Sequence, residues 1–228
     1  ETTVASGGTV SYTAIASSQA GGSWTVTDNT VFGVNDSKGS MPASIYTAGM
    51  VGTWQVSGTY TLLNDRATAT VTHGTAVSLA ITPATKTVAT GGEVVYTATA
   101  ADAKGNTWTV TAETDFGEDD PSGSITTHGT YTAGKVGQWQ VSGTYTGVLG
   151  TTAVIVTHGT ATSLTITPAT KTVAAGEVVV YTATATDAKG NTWTVTTETN
   201  FGEDDPIGNM TAYGTYTAGK VGQWQVSG

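Results

Sequence analysis

The chain contains no cysteine, so no disulfide holds its fold together. Only 11% of its 228 residues are charged, well under the usual quarter. Basic residues number 8 against 17 acidic ones, a net charge of −9. That balance excludes the basic footprint that nucleic acid requires, and it disfavours adsorption to anionic lipid. No apolar run is long enough to read as a transmembrane helix, so no membrane insertion is expected of this segment. Long helix formers are scarce, and no 3.6-residue apolar period persists beyond a few residues.

What is abundant is threonine, 51 of 228 residues, with valine and tyrosine beside it. These side chains suit a pleated, half-buried surface, and the reading is all-β. The chain is also repetitive. Gly52-Thr53-Trp54-Gln55-Val56-Ser57-Gly58 returns as Gly137-Gln138-Trp139-Gln140-Val141-Ser142-Gly143, and again as Gly222-Gln223-Trp224-Gln225-Val226-Ser227-Gly228. The spacing is 85 residues both times, which suits one small β-domain per repeat. The expected division is residues 1–74, 75–159 and 160–228.

The middle repeat, Thr75 to Gly159, reads as a full set of strands. Val77–Thr82 is strand A, with Leu79 and Ile81 inward, and Pro83 interrupts it. Glu93–Ala101 is strand B, with Val94, Tyr96, Ala98 and Ala100 on one face. Asp102–Asn106 is a turn. Thr107–Thr111 is strand C, and a polar stretch Glu113–Pro121 follows, its Phe116 plugging one end of the core. Tyr131 lies on a short strand, and Gln138–Thr146 is strand F. Thr151–Thr157 is strand G, with Val154 and Val156 inward and Ile155 outward. Alternation turns all six tryptophans inward. Seven or eight short strands with frequent turns imply a two-sheet sandwich.

By alignment the first repeat lacks strand A and the third lacks strand G, as if the chain were cut from a longer array. Donor-strand exchange between copies would need a spare strand, and the two A and two G strands present are all used by neighbouring repeats.

The pattern Ser163-Leu164-Thr165-Ile166-Thr167-Pro168, then Gly176-Glu177, Tyr181–Ala185, Asp187-Ala188-Lys189-Gly190-Asn191-Thr192-Trp193 and Tyr216–Gly219 resembles the bacterial and archaeal Ig-like (Big-type) tandem repeats. The resemblance covers nearly the whole chain. It implies tandem immunoglobulin-like β-sandwiches on an extracellular cell-surface protein, as in adhesins and S-layers. It implies a stalk, filament or S-layer element that associates with itself or with neighbouring surface-protein copies. The alternative it leaves is an adhesive or carbohydrate-binding module that meets a glycan or a host surface. Fold alone does not choose between them. A tryptophan stands on strand C as in antibody domains, and Tyr96 is the candidate to fill the space a disulfide would take.

The most suggestive chemistry is acidic. Glu118, Asp119 and Asp120 recur as Glu203, Asp204 and Asp205, alongside Asp102 and Asp187. Hard oxygen ligands on loops are what Ca²⁺ takes, six to eight of them, so these eight residues are the candidate calcium ligands. The first repeat has Val34, Asn35 and Asp36 at the loop positions and Ser18 in place of Asp102, and the spacing does not fit an EF-hand. No other cofactor is expected.

His73 and His158 fall in Thr-His-Gly-Thr segments between repeats and are expected to pack on the following domain. One histidine per repeat makes a poor metal site. No G-x-S-x-G elbow and no recurring His/Asp pair occurs, and the paired carboxylates have no apolar pocket to raise a pKa. No enzyme is expected. Asn35-Asp36-Ser37 and Asn209-Met210-Thr211 match the N-glycosylation pattern.

Overall fold

The computed structural model describes residues 1–228, and it is all-β apart from two single-turn 3₁₀ segments, Thr27–Asn29 and Thr111–Glu113. The chain forms two compact units. One comprises residues 1–83, 96–116 and 142–151, and the other residues 84–95, 117–141 and 152–228. The division runs through the middle repeat. Each linker between repeats, around His73–Thr75 and His158–Thr160, therefore lies inside a unit.

In the first unit, residues 1–72 make an immunoglobulin-like sandwich. Its larger sheet has the order Thr2–Ala5, Leu63–Thr72, Gly52–Tyr60, Val31–Val34. Thr2–Ala5 runs parallel to Leu63–Thr72, and the other pairs are antiparallel. Thr9–Ser11 pairs with Ile45–Thr47, and Ile15–Ser17 with Ser23–Thr25. Tyr46, Ala48, Val56, Ala69 and Val71 form the buried centre, with Val10, Tyr12, Phe32 and Trp54 against it. The same unit holds the sheet of Ala76–Thr82, Thr97–Asp102 and Thr107–Thr109. There Leu79 and Ile81 stand opposite Ala100 and Ala98, a bulky-against-small pairing that brings the strands' inner faces together.

In the second unit, Thr85–Ala89 runs parallel to Val148–Thr157, so the chain takes a new partner strand after Pro83. Glu93–Val95 pairs with Thr130–Thr132, and that strand with Ser124–Ile125. The third repeat contributes Ala161–Thr167, Thr182–Asp187 and Thr192–Thr194 as one sheet. Val178–Val180, Thr215–Thr217 and Asn209–Met210 make another, and Gly202–Glu203 pairs with Val226–Ser227. In the third repeat Val179, Tyr216 and Ala218 form a buried cluster, with Val173, Tyr181 and Met210 partly covered against it.

The inward faces agree with the alternation. Val94, Tyr96, Ala98, Ala100, Val154 and Val156 are buried, while Ile155 is exposed. Three expectations are corrected. Strand B is two strands, Glu93–Val95 and Thr97–Asp102, because the halves bond different partners. The polar stretch after strand C is not all loop: Asp115–Glu118 is a strand, as are its counterparts Val31–Val34 and Gly202–Glu203. The tryptophans are not the core. Trp24 is 49% exposed and the other five are half-buried, whereas Tyr46, Tyr96 and Tyr131 are fully buried. An indole at a sandwich end serves a different purpose, taken up below.

Candidate functional site

The most highly organised polar chemistry lies where one repeat meets the next. It starts from the turn Asp102-Ala103-Lys104-Gly105-Asn106, whose Gly105 has a positive φ of 72° that favours glycine. Asp102 Oδ1 accepts the backbone N–H of Lys104 at 2.9 Å and of Asn106 at 3.0 Å, closing the turn on itself. Asp102 Oδ2 accepts the Gly74 N–H at 3.0 Å, which fastens the linker to the turn.

Asn106 continues the network into the first repeat. Its Nδ2 donates to the Gly49 carbonyl and the Ser6 Oγ, both at 2.9 Å, and to the Asp102 carboxylate. Its Oδ1 accepts the Val51 N–H at 3.1 Å. Ser6 Oγ donates to the same Gly49 carbonyl at 2.8 Å. Asp102 and Asn106 are both buried. Outside them, Lys38 Nζ donates to the Lys104 and Gly105 carbonyls. The linker has no room for a larger residue: a Cβ on Gly74 would lie 2.7 Å from the Ser6 carbonyl oxygen.

An aromatic stack closes the junction. The His73 ring lies on Trp108, centroids 4.4 Å apart and planes at 27°, and Tyr145 meets the indole edge-on at 6.5 Å. The half-buried strand C tryptophan is thus the platform for the linker histidine.

The second junction repeats the design. Asp187 accepts the N–H groups of Lys189, Asn191 and Gly159. Asn191 Nδ2 donates to the Gly134 carbonyl at 3.0 Å and its Oδ1 accepts the Val136 N–H at 3.0 Å. His158 stacks on Trp193 at 4.4 Å and 30°. One detail differs. Thr90, the counterpart of Ser6, donates its hydroxyl directly to Asp187 Oδ2 at 2.6 Å.

The acceptor side of each junction is held by a second aspartate. Asp36 Oδ2 accepts the Tyr46 hydroxyl and the Gly49 N–H, each at 2.7 Å, and its Oδ1 accepts the N–H groups of Lys38 and Met50. Asp120 does the same with Tyr131, Gly134, Lys135 and Ser122, and Asp205 with Tyr216, Gly219, Lys220 and Ile207. These hubs fix the loops that present Gly49 and Val51 to Asn106, and Gly134 and Val136 to Asn191.

The recurring Gly-x-Trp segment belongs to the same construction. The Trp54, Trp139 and Trp224 indole N–H groups donate to the carbonyls of Met50, Lys135 and Lys220, at 2.6, 2.6 and 2.7 Å. The indole then lies over the glycine two residues earlier: a Cβ on Gly137 would sit 3.0 Å from Trp139.

These bonds set the electrostatics. Burial works to raise the carboxyls of Asp102 and Asp187, but the donors around them outweigh it and hold both well below the usual range. At Asp102 the Asn106 side chain and backbone lead, and at Asp187 the Thr90 hydroxyl does. Asp36 and Asp120 are lowered in the same way, and Asp205 to about 2, each against the opposing effect of burial. Burial first, and then the hydrogen bond to Asp205, pushes the Tyr216 hydroxyl up to about 12. Glu118 moves the other way, raised by burial with the Asp120 and Asp119 charges adding to it.

The candidate calcium ligands fall in two sets, Asp102 with Glu118–Asp120 and Asp187 with Glu203–Asp205, and no three His, Asp or Glu side chains converge on a point. Asp102, Asp120, Asp187 and Asp205 face backbone and side-chain donors. Asp119 and Asp204 each accept a backbone N–H, from Gln140 and Gln225 at 2.6 Å. Glu118 and Glu203 accept from Asp120 N and Asp205 N.

Asn106 and Asn191 were not singled out from the sequence, although a signal was there. The Asp-Ala-Lys-Gly-Asn turn is identical in the two repeats that follow a Thr-His-Gly-Thr linker. In the first repeat Ser18 and Gly22 stand at its Asp and Asn positions. There the Ser18 Oγ accepts only the local Gly22 N–H, and no histidine stacks on Trp24.

No protein-family model matches the chain, and no curated protein sequence does. Among solved structures, it is similar to domains 4 and 5 of the S-layer protein SbsC, at 19% identity over 65% of this chain and 82% of that one, TM-score 0.33. It is similar to the Escherichia coli adhesin FdeC at 15% identity over 95% and 81%, TM-score 0.42. A third likeness is to domains 1–6 of SbsC, at 18% identity and TM-score 0.34 over 96% of this chain, which spans only 32% of that one.

Proposed function

We propose that the chain is a structural segment of an extracellular cell-surface protein, a stalk, filament or S-layer element whose junctions set the stiffness of the array. The observation that carries this is the junction chemistry. A bonded Asp–Asn pair with its aspartate buried, a glycine linker held close to its neighbours and a His–Trp stack occur twice, at both linkers of the sequence.

A flexible tether needs none of these groups. Gly/Ser-rich linkers leave adjoining domains free, whereas buried, fully bonded polar groups impose one geometry. Burying Asn106 and Asp102 costs free energy unless every donor and acceptor is matched, so the pair rewards a single docked arrangement. In a linear array, such nearest-neighbour terms add to the stability of each repeat.

The test is mechanical. Small-angle scattering of the chain and of a variant carrying Asp102→Ala and Asn106→Ala should show a longer tail of extended and bent conformers in the variant. Identical profiles would count against a stiffening role.

A further inference from the structure

The strand Val31–Val34 closes one side of the first repeat's larger sheet and pairs on one edge only, with Gly52–Tyr60. Its counterpart Asp115–Glu118 holds the same outer position in the middle repeat, where strand A is in place. The open edge therefore belongs to the sandwich itself. The Asn35 N–H donates to the Gln55 carbonyl, and bonding alternates along an antiparallel ladder. Val31 and Gly33 thus turn their N–H and C=O groups toward Gly52–Tyr60, while Phe32 and Val34 turn theirs to the open edge.

What guards this edge differs between repeats. In the middle repeat the exposed Asp115 and Asp119 flank it, and Glu118 folds back to accept the Asp120 N–H. In the third, Asn200 and Asp204 flank it, and Glu203 accepts the Asp205 N–H. In the first, the same positions hold Val31, Asn35 and Val34, none of them charged. Val31 is 75% exposed. Sheets keep open edges from pairing by placing charges on them, and the first repeat leaves its edge competent to pair.

We propose that Val31–Val34 is a lateral self-association strand, pairing antiparallel with the same strand of a second copy about a two-fold axis at Gly33. This rests on the reading of the chain as an element of an assembled filament or layer, and names a contact between its copies. The register follows from the outward groups. Only a centre at Gly33 matches both Phe32 and Val34 within the strand's own length, each bonding the other's copy through N–H and C=O. Gly33 then faces Gly33 in a non-hydrogen-bonded pair, where Cα atoms approach to about 4.5 Å and side chains come closest.

That register also identifies the occupant. It sets Val31 against Asn35 of the second copy. In the middle repeat it would set Asp115 against Asp119 twice over, like charges directly opposite, which destabilises a strand pair. The residues that guard the middle repeat are those that repel its own image, and the first repeat lacks them. One such strand pair buries less than the roughly 1,000 Å² of a stable free complex, so it acts cumulatively between arrays.

The experiment uses the absence of cysteine from the chain. Gly33→Cys places a single thiol at the two-fold, where its Cβ meets Ser57 Oγ at 3.4 Å, an ordinary contact. It should oxidise to a disulfide dimer about tenfold faster than Thr59→Cys, an exposed control on the neighbouring strand, because a Cα separation of about 4.5 Å suits a disulfide. Adding Val31→Asp and Asn35→Asp should slow the reaction about fivefold, and about 1 M salt should restore most of it. The two aspartates keep the fold, since Asp119 already makes to Gln140 the bond that Asn35 makes to Gln55. In the unsubstituted chain, the amides of Phe32 and Val34 should gain protection from exchange as concentration rises, and those of Asp115–Glu118 should not. Equal oxidation of the two thiols, or indifference to the added aspartates, would overturn the proposal. So would protection of Phe32 and Val34 without the Gly33 disulfide, which would assign the edge to a different strand. A chain that cross-links at Gly33 but whose scattering shows free junctions keeps this pairing and loses the stiffening role. Stiff junctions without the cross-link do the reverse.

Discussion

Replacing Asn106 by alanine is the sharpest single perturbation of the first junction. The Val51 N–H loses the Asn106 Oδ1 and is left without a partner in a partly buried place. The Gly49 carbonyl loses one donor but keeps the Ser6 hydroxyl. The Asp102 carboxylate loses the amide but keeps the N–H groups of Gly74, Lys104 and residue 106. One orphaned buried donor costs about 1–3 kcal/mol, and each surrendered but replaceable bond about 0.5–1.5 kcal/mol. The sum expected for Asn106→Ala is about 2–6 kcal/mol of local stability, measured against a typical total of about 5–15 kcal/mol. Amide exchange followed by NMR reads it directly. The Val51 amide should lose protection about thirtyfold or more, at about 1.4 kcal/mol per factor of ten. Strand amides in Leu63–Thr72 should change far less. Asn191→Ala should cost less, because Thr90 still donates to Asp187 in its absence. An unchanged Val51 exchange rate, or a larger effect at Asn191, would refute the assignment of Asn106 as the keystone.

Other outcomes follow from the same geometry. Asp36, Asp102, Asp120, Asp187 and Asp205 have folded pKa values below their unfolded ones, so the stability they contribute is present above the unfolded aspartate value near 3.9 and is lost as pH falls through the folded values, to about 2 for Asp205. Thermal melts should hold steady from pH 7 to about 4 and drop below that, and a loss centred near pH 6 would contradict it. Removing the stack with His73→Ala should cost about 0.5–1.5 kcal/mol by chemical denaturation, and His73→Phe should recover part of it. Gly134→Ala should be severely destabilising, since its Cβ would fall 2.0 Å from the Ser122 backbone, and a near-native melt would show that the loop can shift. Millimolar calcium is expected to leave the melting temperature unchanged, because the aspartate oxygens already face N–H and O–H donors. A clear rise would assign Glu118–Asp120 or Glu203–Asp205 a binding role.

The strand faces were legible because a two-residue period is a local property of the chain. Val154 and Val156 against Ile155, and Ala98 and Ala100 between threonines, needed only alternation. The junction was not legible, because its bonds join residues far apart: Asn106 to Ser6 spans 100 positions and Asn106 to Gly49 spans 57. The same limit hid how deep the tryptophans lie. Alternation turns Trp139 inward correctly but does not say that its N–H is tied to the Lys135 carbonyl at the end of the sandwich. The aspartate hubs were not legible, because carboxylates look alike in sequence whether they face water, a cation or a ring of backbone amides; Asp120 and Asp205 each accept the hydroxyl of the tyrosine eleven residues on, Tyr131 and Tyr216.

The central claim is that the Asp–Asn–His–Trp junction holds neighbouring repeats in one geometry. Spin labels on the exposed residues Thr59 and Ala112, which flank the first linker within one compact unit, test it directly. Electron–electron dipolar spectroscopy should give a narrow distance distribution in the native chain, and a broad one when Asp102 and Asn106 are both alanine. A broad distribution in the native chain, or one that the double substitution leaves unchanged, would contradict the account.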